Sequence, residues 1–239
     1  MNTLHLDIEI APDWDAIDLH FPIGEPPEFD ASSVKYGVAK KPETRAKIEA
    51  EALAKHNALV EQWGNDAHLN RHRREALDSS KALLNPCISS VCAIGSKLGD
   101  RDLLIYYSED CEGCMLQELV VDIEGADAIA GWNIKGFDLP YLTMRMRVHG
   151  ITPPPLMLPN GRYYRDSVID LMEWAGCNQW GRNYKLKHVA PALGFRACPE
   201  PEGGKFFWEM PRDKQTEYLT WDVEAVAHIY NVMAGRPTA

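Results

Sequence analysis

One segment near the start of the chain, residues 3–10, constrains the fold most, because its apolar and polar side chains alternate without interruption. The even positions are apolar, and the odd positions hold His5, Asp7 and Glu9. Side chains two apart in a strand point to the same face, so the pattern predicts a strand with one face in a core. The other face is either a solvated polar surface or a place where two carboxylates converge on a cation.

The remaining pattern predicts a mixed sheet flanked by helices. Further strands are predicted at 88–98, 103–108 and 128–133. Helices are predicted at about 112–121, 139–149, 168–175, 187–193 and 214–233. Residues 11–40 carry several Pro and Gly and are predicted to be an irregular connection, whereas residues 41–84 are rich in Ala, Glu, Lys and Arg and predict a helical insertion.

The length of 239 residues favours a single domain, 1–239, that contains this insertion. No apolar run approaches the roughly 20 residues that cross a bilayer, and no signal core follows Met1. The sequence therefore predicts a cytoplasmic protein with no membrane contact. The six cysteines are predicted to be reduced thiols. Cys111 and Cys114 lack a second pair at the spacing a zinc site needs.

The net charge of -10 argues against non-specific binding to nucleic acid, because Lys and Arg supply most of that affinity. Net charge does not say where the charges lie, however. A site for divalent cations is itself rich in carboxylates.

A second segment of chemical interest lies between a predicted strand and a predicted helix, where sites are often built. It reads Gly131-Trp132-Asn133-Ile134-Lys135-Gly136-Phe137-Asp138-Leu139-Pro140-Tyr141-Leu142. Asp138 is either a site carboxylate or the cap of the helix that follows.

A third segment lies in the last predicted helix. Tyr218 and Asp222 are four residues apart, which places the phenol and the carboxylate on one side of a helix. Taken alone, this spacing is also common on an ordinary helix surface.

The ordered set of three segments resembles the exonuclease motifs of the DEDD superfamily, tyrosine subclass. The middle segment is most similar to the proofreading exonuclease domain of family B DNA polymerases, and residues 166–171 and 185–190 are also similar to stretches found there. The resemblance leaves out the 11–40 connection and the insertion, and suggests a stand-alone member of the phage or bacterial type. It implies an α/β, ribonuclease H-like fold with a five-stranded mixed sheet flanked by helices.

By that resemblance, Asp7, Glu9, Asp138 and Asp222 bind two Mg²⁺ or Mn²⁺ ions, which prefer oxygen ligands. Asp7 would bridge the ions, Glu9 and Asp222 would hold the ion that activates water, and Asp138 would serve the second ion. Tyr218 would orient the water. Asn133 and Phe137 match motif positions near the substrate.

Aromatic and basic side chains between the second and third segments are candidates to hold unstacked bases, as in single-strand binders. The candidates are Tyr184 and Lys185, together with Trp180, Arg182, Lys187, Arg145 and Arg147.

The sequence thus predicts a metal-dependent 3′→5′ exonuclease that hydrolyses phosphodiester bonds at DNA 3′ ends and releases 5′-mononucleotides by a two-metal-ion mechanism. Its partners would be single-stranded or frayed DNA 3′ ends and replication proteins, in DNA replication or repair. Two alternatives stay open: an RNA 3′→5′ exonuclease of the same superfamily, and a catalytically silent domain that binds nucleic acid or a replication partner.

Overall fold

The computed structural model describes residues 2–236 apart from 23, 25–27, 39, 64–68, 70, 76, 78–81, 110, 180 and 201–203. The chain divides into two compact units. The first comprises Met1–Asp13 and Leu83–Ala239, and the second comprises Trp14–Ala82. Every residue predicted to take part in catalysis belongs to the first unit.

A five-stranded mixed sheet forms the centre of the first unit, with strand order β3-β2-β1-β4-β5. The strands are β1 (Thr3–Pro12), β2 (Ser89–Leu98), β3 (Leu104–Tyr107), β4 (Ala128–Gly131) and β5 (Val168–Asp170). The middle strand, β1, runs antiparallel to β2 and parallel to β4, and β4 runs parallel to β5. The carboxyl ends of β1, β4 and β5 therefore meet at one edge of the sheet.

Helices cover both faces of this sheet. Those of the first unit are α3 (Glu112–Glu124), α4 (Asp138–Val148), α5 (Leu171–Ala175), α6 (Leu186–Ala192) and α7 (Arg212–Met233), with 3-10 turns at Pro155–Met157 and Gly204–Glu209. The second unit, described by itself, contains helices α1 (Trp14–His20) and α2 (Pro42–Trp63), with a 3-10 turn at Ala31–Ser33. A further 3-10 turn spans Ala82–Leu84.

The two faces of β1 have different neighbours, as its alternating sequence predicts. Leu4, Leu6 and Ile8 are buried in a core with α3 and α4 side chains such as Leu116 and Leu139. The odd-numbered side chains lie on the opposite face, where α7 packs against β1, β2 and β4. The strand thus contributes apolar contacts to one layer and polar groups to the other.

Close packing of α7 on the sheet depends on Gly95 of β2. Gly95 is the register partner of Asp7. A Cβ atom at this position would lie 2.5 Å from Val223 Cγ2 and 3.0 Å from Leu219 Cγ. Because these two residues flank Asp222 on α7, the missing side chain lets that part of the helix approach β1.

The helix predicted at 168–175 is wrong in its first part. Val168–Asp170 form the buried strand β5, and the helix begins only at Leu171. The apolar β-branched pair before Asp170 favours a strand, and the Asp170 carboxylate caps the helix that follows.

The second unit contains helix within the segment that was predicted to be an irregular connection, because α1 occupies Trp14–His20. Arg73 forms a 2.7 Å ion pair with Asp18 and stacks over the Trp14 ring. The basic stretch at 71–74 is therefore partly engaged within its own unit. Residues 71–75 are helical, but several other residues in the second half of the predicted helical insertion lie outside the described residues.

Two of the cysteines predicted to be thiols are instead paired. Cys111 and Cys114 form a disulfide at the start of α3. Cys87, Cys92, Cys177 and Cys198 are free. Among the described helices, none is both long enough and apolar enough to span a bilayer.

Candidate active site

Three carboxylates from the two ends of the chain meet above the middle strand. Asp7 and Glu9 lie on the face of β1 that α7 covers, and Asp222 comes from α7. Each offers one oxygen such that the three oxygens lie within 4.8 Å of one another. Oxygen donors at this spacing suit a hard divalent cation such as Mg²⁺ or Mn²⁺.

Asp138 lies beside this trio, at the start of α4. Its side chain is only 3% exposed. The carboxylate accepts hydrogen bonds from its own backbone amide and from the amide of Ile8. Since Ile8 stands between Asp7 and Glu9 on β1, this contact holds Asp138 against the acidic part of the strand.

Burial and mutual repulsion both act on these carboxylates. Burial raises the pKa of Asp7 well above its usual value, and the charge of Asp222 raises it further. Burial, followed by the charges of the other carboxylates, also raises the pKa of Glu9. Burial raises the pKa of Asp222 to about 7 and is the main cause of the raised pKa of Asp138. A bound divalent cation would offset the repulsion between these carboxylates, since it favours the charged form of each group.

The Tyr218 phenol stands one helical turn before Asp222 and donates a hydrogen bond to its carboxylate. Burial and then the charges of Asp222 and Glu9 raise the pKa of Tyr218 far above its ordinary value. The phenol therefore stays protonated at neutral pH. It is suited to orienting a water molecule by hydrogen bonding, but it is not a base.

The loop between β4 and α4 has a tightly fixed backbone. Asn133 adopts a left-handed conformation with φ of 56°, and its carbonyl accepts hydrogen bonds from the amides of Gly136 and Phe137. A Cβ atom at Gly136 would lie 2.5 Å from the Asn133 side-chain oxygen. The same loop is bonded to Asp170 through the amides of Asn133 and Lys135.

A cavity of about 450 Å³ opens beside Tyr218 and Asp222. Its lining combines aromatic, basic and amide side chains with a few apolar ones: Trp132, Asn133, Met172, Asn183, Tyr184, Lys185, Leu186, Lys187, Cys198, Tyr218, Trp221 and Asp222. The Trp132 indole donates a 3.2 Å hydrogen bond to the Tyr184 carbonyl, which ties the second chemical segment to the α6 side of the cavity.

The residues predicted to touch substrate are distributed unevenly. Asn133, Tyr184 and Lys185 line the cavity, as does Lys187. Phe137 lies half-buried against Tyr141, with ring centroids 5.5 Å apart, and is not among the lining residues.

The weaker candidates fare differently. Arg145 is wrong as a substrate contact, because it is 4% exposed and its Nε donates a 2.9 Å hydrogen bond to Glu112. Arg147 and Arg182 are exposed and are not among the lining residues. Trp180 lies outside the described residues.

Some residues of the site carry no clear signal in the sequence. Asn183 and Cys198 line the cavity only because the loops on either side of α6 bring them there. Asp170 is a buried carboxylate that contacts the β4–α4 loop, and Gly95 sets the approach of α7. The signal for Asp170 in the sequence is a carboxylate directly after the apolar pair Val168-Ile169. A helix predicted at 168–175 does not place that carboxylate at the end of a strand.

The chain is similar to several known proteins. Residues 94–207 match the family model described as the RNase_H superfamily. The structure of the family B DNA polymerase from the archaeon Pyrobaculum calidifontis superposes with a TM-score of 0.50 at 19% identity, covering 63% of this chain. The fold is ribonuclease H-like. This ribonuclease H-like chain spans about a fifth of that polymerase, 22% of its length.

A curated relative matches most of its own length. It is an uncharacterised protein of Methanocaldococcus jannaschii that is 27% identical over 172 residues, which is 66% of this chain and 93% of the relative. The family model begins within β2 and ends before α7, so Asp138, Tyr184 and Lys185 fall inside the matched region. Asp7, Glu9 and Asp222 lie outside it.

Proposed function

We propose that this ribonuclease H-like chain is a metal-dependent 3′→5′ exonuclease. Its substrate is a single-stranded or frayed DNA 3′ end, and its product is a 5′-mononucleotide. The observation that carries the proposal is the spacing of the Asp7, Glu9 and Asp222 oxygens, within 4.8 Å of one another. Asp138 lies against the same strand, and the Tyr218 hydroxyl is bonded to Asp222.

Two Mg²⁺ or Mn²⁺ ions fit this donor set, since every side chain in it offers oxygen. Asp7, Glu9 and Asp222, with Asp138 beside them, would hold these ions. When bound, such ions lower the pKa of water and neutralise charge on the phosphoryl group. Their binding also offsets the repulsion that raises the carboxylate pKa values.

The protein's own groups supply orientation. Tyr218 keeps its proton, so its hydroxyl donates to Asp222 without substrate and accepts a hydrogen bond from the attacking water with substrate bound. Its burial fixes the direction from which water approaches the phosphorus.

The adjoining cavity supports a nucleotide substrate. Its volume of about 450 Å³ falls in the range of small-molecule sites. Trp132 and Tyr184 offer aromatic surface for an unstacked base, while Lys185 and Lys187 attract phosphate. A basic lining at the cavity offsets locally the net charge of -10. The likeness to the RNase_H superfamily and to a DNA polymerase also favours a nuclease.

The decisive experiment follows digestion of a 5′-end-labelled single-stranded DNA oligomer with Mg²⁺ or Mn²⁺. We expect a ladder that shortens from the 3′ end and releases 5′-mononucleotides, and we expect chelator to stop it. Asp7→Ala and Asp222→Ala should stop it without unfolding the protein. Glu124→Gln, which changes an exposed carboxylate on α3, is the matched control and should digest as the wild type does.

Matched RNA and a 3′-blocked DNA oligomer complete the test. Digestion of RNA with no digestion of DNA would show that the substrate is RNA, while the proposed phosphodiester hydrolysis would stand. Internal cleavage of the blocked oligomer would show that the protein is an endonuclease and not an exonuclease. Tight binding of DNA with no hydrolysis in either metal would contradict the enzyme and favour a catalytically silent binding domain.

A further inference from the structure

A buried carboxylate outside the metal-binding set connects two parts of the active site. Asp170, at the end of β5, is 2% exposed. It accepts hydrogen bonds from four backbone amides: those of Asn133 at 3.1 Å, Lys135 at 3.2 Å, Met172 at 3.0 Å and Glu173 at 3.4 Å.

These four bonds serve two different segments. Oδ1 of Asp170 accepts hydrogen bonds from the amides of Met172 and Glu173 in α5 and from the amide of Asn133. Oδ2 accepts a hydrogen bond from the amide of Lys135. Capping α5 needs only one oxygen, which Ser supplies as well as Asp does. The second oxygen is committed to the β4–α4 loop.

A second contact spans the same junction. Lys135 Nζ lies 2.7 Å from Glu173 Oε2, on the exposed side of the loop. This ion pair is partly solvated and contributes little. The buried bonds to Asp170 therefore carry most of the attachment between the loop and the β5–α5 turn.

The loop that is held in this way delivers two site residues. Asn133, which lines the cavity, has a left-handed backbone, and Asp138 follows only five residues later against β1. A left-handed non-glycine residue costs free energy and persists only where its surroundings enforce it. The hydrogen bonds that the amides of Asn133 and Lys135 donate to Asp170 fix the loop on either side of Ile134.

We propose that Asp170 is a positioning residue for the nuclease reaction. By holding the amides of Asn133 and Lys135, it fixes the loop that carries Asn133, which lines the cavity, and Asp138, which would help to hold an ion. The inference rests on the proposed function, because it assigns Asp170 a role in that reaction. Asp170 is not one of the four carboxylates proposed to hold the ions, and it is not among the residues that line the cavity.

Asp170→Ser separates the two roles of the side chain. The Ser hydroxyl caps α5 but is too short to reach the loop amides, so the fold is retained while the loop is released. We expect kcat to fall about 10- to 100-fold with a smaller change in KM, the usual result of removing a group that orients a metal ligand. Mn²⁺ affinity, measured by calorimetry, should fall over the same range. Amide hydrogen exchange at 133–138 should speed up.

Asp30→Ser is the matched control. Asp30 also caps a short helix, by accepting from the Ser32 amide at 2.8 Å, but it belongs to the second unit. It should leave kcat, Mn²⁺ affinity and exchange at 133–138 unchanged. If Asp170→Ser fails to fold, Asp170→Asn replaces it, because the amide keeps Oδ1 but sets an NH₂ group against the Lys135 amide.

Wild-type kcat and wild-type exchange at 133–138 in the folded variant would overturn the positioning role. A fall in kcat without faster exchange would also overturn it, because the loop would then be held by other contacts. Should the wild type hydrolyse no nucleic acid, the proposed function fails by itself. Loop exchange and Mn²⁺ affinity would still decide whether Asp170 holds this loop.

Discussion

Two charged clusters in the first unit, one around Glu112 and one formed by Asp7, Glu9 and Asp222, differ in how their charge is balanced. Glu112, on α3, is bonded to Arg145, to His149 and to the amide of Val91. Burial alone would raise the pKa of Glu112, but these partners bring it below its usual value. Asp7 and Asp222, in contrast, face other carboxylates, and their pKa values are raised.

The comparison shows how a structural carboxylate differs from a candidate catalytic one. In the sequence, Glu9 and Glu112 each end an Asp-x-Glu triplet, so this pattern alone does not tell the two sites apart. At Glu112 the protein supplies its own cation and the cluster joins α3, α4 and β2. At Asp7 and Glu9 the neighbouring charged groups are other carboxylates, so a cation from solution would balance their charge. A metal-dependent enzyme requires this property.

The largest effect should come from neutralising a carboxylate of the Asp7 cluster. Asp222→Asn removes the charge of a proposed metal ligand without changing its shape, so we expect nucleotide release to fall at least about 10³-fold, roughly 4 kcal/mol of barrier. Initial rates on end-labelled DNA measure this. Glu124→Gln should keep wild-type rates, and an Asp222→Asn enzyme within a few-fold of wild type would remove Asp222 from the metal site.

The same substitution in the other cluster should affect stability instead. Glu112→Gln leaves the buried Arg145 without a counter-charge, and we expect it to lower the free energy of unfolding by about 3 kcal/mol. Urea denaturation measures the loss. A change as small as that of Glu124→Gln, within about 0.5 kcal/mol for an exposed site, would mean that the ion pair is dispensable.

The packing of α7 against β2 at Gly95 should have the next largest effect. Gly95→Ala places a methyl group against Val223 and Leu219, so we expect a loss of about 2 kcal/mol in the free energy of unfolding, as in other overpacked cores, together with a lower nuclease rate. Gly24→Ala is the control, since its new methyl meets nothing within 4 Å. Loss of stability with an unchanged rate would show that α7 can shift without moving Asp222.

The smallest effect should be a pH dependence in chelator. The folded pKa of Asp222 is raised, so its contribution to stability is full at low pH and is lost as pH rises through about 7. Between pH 6 and pH 8 we expect this one group to lower the free energy of unfolding by on the order of 1 kcal/mol. Thermal unfolding should show the decline, and Asp222→Asn or added Mn²⁺ should reduce it. A metal-free protein that becomes more stable over this interval would contradict the sign.

The sequence predicted the elements whose signal is local. The alternation in β1 separated a core face from an acidic face because strand geometry has a period of two. The spacing of Tyr218 and Asp222 placed both on one side of α7 because helix geometry brings residues four apart together. The ribonuclease H-like fold was implied by the resemblance of the three segments to DEDD exonuclease motifs, and it is confirmed by the sheet and by the comparisons.

What the sequence did not predict depends on contacts between distant segments. Val168–Asp170 is too short to show a period, and its identity as β5 comes from pairing with β4. The ion pair of Arg145 with Glu112 depends on the relative positions of two helices, α3 and α4. Asn183 and Cys198 became cavity residues through loop paths that no residue pattern encodes.

The contact between β1 and α7 has a consequence for synthesis. Thr3 and Tyr230, 227 positions apart, share a hydrogen bond, and the acidic cluster is built from the same two elements. As a ribosome makes this chain, the strand that holds Asp7 and Glu9 appears early and the helix that holds Asp222 appears much later. A partly translated chain therefore lacks the assembled carboxylate cluster, so the proposed nuclease activity would arise only after that helix has docked.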